Sequence, residues 1–160
     1  MVRLNEQIQF IVLHHTEFNE ARSVQQLNAQ YVQQGQFGLP YDIVIQRDGK
    51  IGLGPRWLYA VRSDHVLEGI PVAMIGQFPI HHMAGMVFTD NYYLTAVHVA
   101  LAGDFNIDKP SAPQLAALHD VLAELQKSIP HLQDLKLHSD IETTSCPGAM
   151  FTSYKPTLST

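Results

Sequence analysis

Two kinds of apolar spacing run along this chain, and each marks a different element. Ile8-Gln-Phe-Ile-Val-Leu13 is a short, nearly continuous apolar run that suits a buried strand. It delivers His14 and His15 at its C-terminal end. Adjacent strand residues point to opposite faces, so at most one of the pair is expected at a given site. Further on, Ile43 and Ile45 alternate with other positions, and Asp48-Gly49 is a two-residue hairpin signal. The spacing therefore predicts antiparallel strands over Asp42–Gln46 and Lys50–Leu53, with Tyr41 at the mouth of the first. Tyr92–Ala102 reads as another strand carrying Val97, Val99 and Leu101, closed by Gly103-Asp-Phe-Asn106. Leu135–Leu137 reads as a short strand ending at His138.

The helical period appears twice, each time behind a capping box. Ser23 with Gln26 opens a helix whose Val24, Leu27 and Tyr31 share a face, and Gly35 or Gly38 ends it. Ser111 with Gln114 opens a second, with Leu115, Leu118, Leu122 and Leu125 as its apolar stripe and Pro130 as its stop. Pro147 suits the first turn of a third, short helix. Cys146 is then expected near a helix N-terminus, where free N–H groups favour a thiolate. The stretch Leu58–Asn91, with His65, His81, His82 and the run Ile70-Pro-Val-Ala-Met-Ile-Gly76, is expected to be loop with some short structure. The polar tail 152–160 is expected to trail off a single domain spanning residues 1–151.

At 160 residues the chain is long enough for one domain with a real core. Hydrophobic content of 46% and charged content of 16% suit a globular protein and are too apolar for disorder. A formal charge of −5 and no basic stripe argue against a nucleic-acid partner. No stretch has the roughly 18–20 apolar residues that span a bilayer. The N-terminal segment lacks a basic stretch followed by an apolar one, so a cytoplasmic product without a secretory signal is expected, reaching a cell wall only after release or acting on wall fragments. The single cysteine rules out an intramolecular disulfide, which fits a reducing compartment or a site that needs a thiolate.

His14 and His15 near one end, and His138 and Cys146 near the other, are the candidate chemistry. Zinc prefers imidazole nitrogen and thiolate sulfur, and a catalytic site keeps three protein ligands with the fourth position open. Spacing alone leaves plainer readings standing: a lone cysteine is more often a small buried apolar residue, and nine histidines put one near it by chance.

Four stretches, in order, resemble the zinc-dependent N-acetylmuramoyl-L-alanine amidases, the group that includes T7-type lysozymes and peptidoglycan recognition proteins. They are Ile11-Val-Leu-His14-His15-Thr16; Gly38-Leu-Pro-Tyr41-Asp-Ile-Val-Ile-Gln-Arg47-Asp48-Gly49; Val99-Ala-Leu-Ala-Gly103-Asp104-Phe105; and Leu137-His138-Ser-Asp140 with Thr144-Ser-Cys146-Pro147-Gly148. The resemblance implies an α/β fold: a central, mostly mixed sheet flanked by about three helices, with one Zn²⁺ at the floor of a surface groove. It places the metal ligands on His14, His138 and Cys146, and the catalytic pair on Tyr41 and Thr144. His15 takes a packing or supporting role. His15, His82, His98 and Arg56 are candidates for the groove, with His82 the best match to a histidine of a short family loop. The chain departs from the pattern at His98, where glycine is common, and at Ala100, where some members carry a catalytic glutamate; this favours a tyrosine/threonine mechanism. If Ala100 faces the site, so should His98, because strand side chains repeat every two residues.

The implied reaction is hydrolysis of the amide between the lactyl group of N-acetylmuramic acid and L-alanine, in peptidoglycan or its fragments. The alternative is a muropeptide-binding module on the same fold that does not cleave. Non-catalytic relatives typically lose the cysteine ligand, and its presence here favours the enzyme. A purely structural zinc site would need a fourth ligand, for which His15 or His82 could serve. Stem-peptide preference and oligomeric state stay open.

Overall fold

The computed structural model describes residues 2–3, 8–18, 22–36, 38–55, 66–77, 81–82 and 95–158. In chain order these form β1 (Val2–Arg3), β2 (Phe10–His15), α1 (Val24–Gln33), β3 (Ile43–Ile45), β4 (Ile51–Leu53) and β5 (Leu67–Glu68). A 3-10 turn over Val72–Gln77 leads to β6 (His81–His82), then β7 (Ala96–Leu101), α2 (Ala112–Ser128) and β8 (Asp134–Leu137). Two further 3-10 turns, His138–Asp140 and Thr152–Tyr154, follow.

Six strands make one mixed sheet in the order β5-β4-β3-β7-β2-β8. The four strands β3, β7, β2 and β8 are parallel, while β4 and β5 run antiparallel at one edge. β1 and β6 pair separately as a two-stranded ribbon, Val2 opposite His82. The predicted hairpin forms, Ile43 pairing with Leu53 and Ile45 with Ile51, but Gln46 N–H donates to Lys50 O at 2.8 Å, so the turn takes the three residues 47–49 and not two. Gly49 closes it at φ +88, a conformation that glycine adopts without steric cost.

Alternation along the strands builds two cores. Ile11, Leu13, Ile43, Ile45, Val97, Val99 and Leu101 pack with Leu118, Val121, Leu122 and Leu125 of α2. Val44 and Ala100, from the opposite face, pack with Val24 and Leu27 of α1 and with Leu39 and Tyr41. Both capping boxes are present, Ser23 with Gln26 and Ser111 with Gln114. The stripe on α2 is rotated from the expected one. Leu115 is only half-buried, and Gln114 is buried instead, its amide donating to Ile45 O at 3.2 Å and Ala102 O at 2.7 Å. Those bonds tie the start of α2 to the C-terminal ends of β3 and β7.

Two expectations change. Among the described residues there are two α-helices rather than about three. The third helix does not form after Pro147, so Cys146 stands at no helix N-terminus. Residues 147–151 turn back on themselves, Gly148 N–H donating to Ser145 O at 2.6 Å. Gly148 has φ +105, and a Cβ there would lie 2.3 Å from the backbone carbon of Phe105. Packing against Phe105, which is distant in sequence, sets this turn. Phe151, the last residue of the expected domain, is fully buried, and within 152–158 Leu158 packs on the α2-side core. No helix among the described residues is long and apolar enough to cross a membrane.

Candidate metal centre

β2 and β8 are parallel neighbours with Leu13 opposite Leu137, so the next residue of each, His14 and His138, comes out side by side. Their ring centroids are 4.6 Å apart. The turn that Gly148 holds against Phe105 brings Cys146 to the same point. One ligand atom from each of His14, His138 and Cys146 lies within 4.8 Å of the others. His14 Nδ1 is 3.8 Å from Cys146 Sγ. Tetrahedral zinc, with bonds of about 2.0–2.1 Å to nitrogen and 2.3 Å to sulfur, needs its ligands roughly 3.3–3.6 Å apart. Two imidazoles and a sulfur at these separations fit a zinc ion after small rotations.

The atoms facing away from that point are also held. His138 Nε2 lies 2.8 Å from a Glu142 carboxylate oxygen, so Nδ1 is its ring atom for a metal. Cys146 is 5% exposed. Burial pushes its thiol up to about 12, against the opposing pull of the His15 N–H, which donates to Sγ at 3.3 Å. The thiolate that the expected helix would have favoured is therefore not prepared by the fold. It would form only as a cation replaced the proton.

Tyr41 closes one side, its ring 5.2 Å from that of His14. Its hydroxyl lies 3.1 Å from Tyr31 Oη and donates to His15 O at 3.3 Å. Burial, reinforced by the neighbouring Tyr31, holds the phenol well above its ordinary value, so it is a proton donor and not a base. Thr144 Oγ1 accepts the Cys146 N–H at 3.2 Å, which places its hydroxyl beside the cysteine.

The profile of the Amidase_2 family, N-acetylmuramoyl-L-alanine amidase, matches residues 4–149. The chain belongs to this family. No curated protein matches it. Among solved structures, the endolysin amidase LysCS from Clostridium intestinale is 24% identical, with a TM-score of 0.64 over 97% of this chain and 86% of that one. The endolysin of Thermus scotoductus bacteriophage Ph2119 is 20% identical, with a TM-score of 0.64 over 90% and 79%. Peptidoglycan recognition protein-LE, solved in complex with tracheal cytotoxin, a monomeric diaminopimelic acid-type peptidoglycan, is 17% identical, with a TM-score of 0.62 over 92% and 78%. These likenesses show that the fold is the amidase fold.

On this amidase fold the remaining candidates separate. His15 is 1% exposed and turns away from His14. Its Nδ1 accepts the Phe105 N–H at 3.0 Å, and its Nε2 lies 3.5 Å from Glu17. Burial lowers its pKa more than Glu17 and Asp104 raise it. It therefore supports the turn around the site. His98 is fully buried on β7 and lies against His14, their ring centroids 5.1 Å apart. Ala100 sits on that same face of β7, packed toward α1. Of His82 only the backbone placement in β6 is described, and Arg56 lies outside the described residues.

Sequence reasoning missed two contributors. Tyr31 read as one more apolar position on α1, yet its hydroxyl meets that of Tyr41. Glu142 drew no reading at all, although its spacing of four from His138 was a signal for a hydrogen-bonded pair within one turn.

Proposed function

We propose that this chain is a zinc amidase that hydrolyses the bond between the lactyl group of N-acetylmuramic acid and L-alanine, in peptidoglycan or its soluble fragments. The observation that carries the reading is the convergence of His14, His138 and Cys146, beside two hydroxyls, Tyr41 and Thr144. When bound, zinc supplies Lewis-acid activation of water and of the scissile carbonyl.

The chain's own residues do the rest. Tyr41, kept protonated by burial, donates its O–H toward the oxygen on which charge develops as the amide is attacked. In the resting site that hydrogen is given to His15 O, so donation requires the O–H to rotate away from His15 O while Tyr31 keeps the oxygen in place. Thr144 already spends its oxygen on the Cys146 N–H, which leaves its hydrogen as a second donor on the same side. Ala100 stands where some family members carry a glutamate, so β7 brings no carboxylate to this site and the proposed donors are the two hydroxyls.

Zinc-loaded protein incubated with peptidoglycan should release new L-alanine amino termini. The second reading, a binding module, draws on the fold shared with the recognition protein solved with tracheal cytotoxin. Stoichiometric zinc and muropeptide binding without any new amino termini would favour that reading over the amidase.

A further inference from the structure

We propose that His98 is a positioning residue for the metal centre, accepting the Nε2 proton of His14 on its own Nδ1 and so aiming His14 Nδ1 at the metal. This rests on the metal centre proposed above. His14 Nε2 and His98 Nδ1 are 2.8 Å apart, between two rings tilted by 42°. The other ring nitrogen of His14, Nδ1, is the one 3.8 Å from Cys146 Sγ. A neutral imidazole that gives Nδ1 to a metal carries its proton on Nε2. The atom meeting that proton here is His98 Nδ1, which must then be the acceptor. The tautomers of both rings follow: N–H on Nε2 in each.

Packing alone does not account for a histidine at this position. His14 and His98 are 1% and 0% exposed. Burying an imidazole where an apolar side chain would fit is costly unless its nitrogens are satisfied. Its flanking residues on the same face of β7 are Ala96 and Ala100, and the small side chains leave room for the larger ring. The backbone is fixed as well. His98 N–H donates to Asp42 Oδ2 at 2.8 Å, and Asp42 N–H donates to His98 O at 2.9 Å. Asp42 follows Tyr41 directly, so one buried carboxylate ties the support of the metal ligand to the strand that presents the tyrosine. Partners of this kind beyond the ligands commonly change metal affinity by about 10–100-fold.

The test is zinc affinity, read by competition with a chromophoric chelator, for the native protein, His98→Leu and His98→Asn. Leucine fills the volume without a polar atom and should weaken zinc binding by about 10–100-fold. Asparagine keeps an acceptor near the Nδ1 position and should recover most of that loss. A leucine variant that binds as tightly as the native protein, or an asparagine variant as weak as the leucine one, overturns the proposal. A second measurement needs no variant. In ¹⁵N-labelled, zinc-loaded native protein, His14 Nε2 should carry a proton scalar-coupled across the hydrogen bond to His98 Nδ1. An unprotonated Nε2, or no coupling, overturns it even if the variants do not fold. Native protein that holds no zinc would overturn the metal centre itself, whereas normal zinc binding by a folded His98→Leu would overturn only the role of His98.

Discussion

Burial sets the protonation of Tyr41 and Cys146, the two single residues on which the proposed chemistry leans most. Burial holds the Tyr41 phenol well above its ordinary value, so in the proposed mechanism its O–H acts as a donor and not as a base. Tyr41→Phe should leave zinc bound and lower kcat by about 10²–10³-fold, the usual loss for one oxyanion donor; a variant with unchanged kcat removes Tyr41 from the mechanism. In the metal-free protein burial holds the Cys146 thiol at about 12, so near neutral pH it carries its proton. Zinc must displace that proton. Affinity should therefore rise as pH rises from 7 to 8, by about tenfold, with about one proton released per zinc. Calorimetry in buffers of different ionisation enthalpy counts that proton, and pH-independent affinity would contradict the assignment. At this scale the sequence was informative about residue type and silent about partners. His14 with His138 and Cys146 could be read off motifs, but the meeting of His14 and His98 depends on β2 and β7 pairing in parallel with His14 opposite Ala100, a long-range register.

At the scale of elements, local signals were read well and long-range ones were not. Ser23 and Ser111 announce their helices because a capping box satisfies two otherwise unbonded N–H groups within four residues. Asp48-Gly49 announces its hairpin because the turn needs positive φ. Pro147 misled, since the same fixed φ that opens a helix also suits a tight turn. What decided between them was Gly148 against Phe105, a contact that no local pattern encodes. That contact gives a prediction. Gly148→Ala puts a side chain into the Phe105 backbone at a positive φ, so the turn must shift and carry Cys146 with it. The variant should lose on the order of 2 kcal/mol or more in urea unfolding and bind zinc measurably more weakly; native-like zinc affinity would mean the turn does not hold the cysteine in place.

For the whole molecule, the parallel strands β2 and β8 bring the two histidines together, and α1 and α2 cover opposite faces of the sheet that carries them. This architecture keeps His15 buried and neutral beneath the site. Its folded pKa lies below the 6.5 of an unfolded chain. Between those two values the unfolded state binds the extra proton, so stability is intact above pH 6.5 and falls as pH drops below it. Urea unfolding of the metal-free protein from pH 8 to pH 5 should show this decline, and His15→Gln should flatten it; an equal slope in both proteins would assign the acid sensitivity elsewhere.

The most direct test of the central claim is X-ray absorption at the zinc edge on the purified, zinc-loaded protein. The account predicts one zinc per chain with a single sulfur at about 2.3 Å and nitrogen or oxygen ligands at about 2.0–2.1 Å, and loss of the sulfur shell in Cys146→Ser. A chain that retains no zinc, or a zinc surrounded only by light atoms in the native protein, would contradict it.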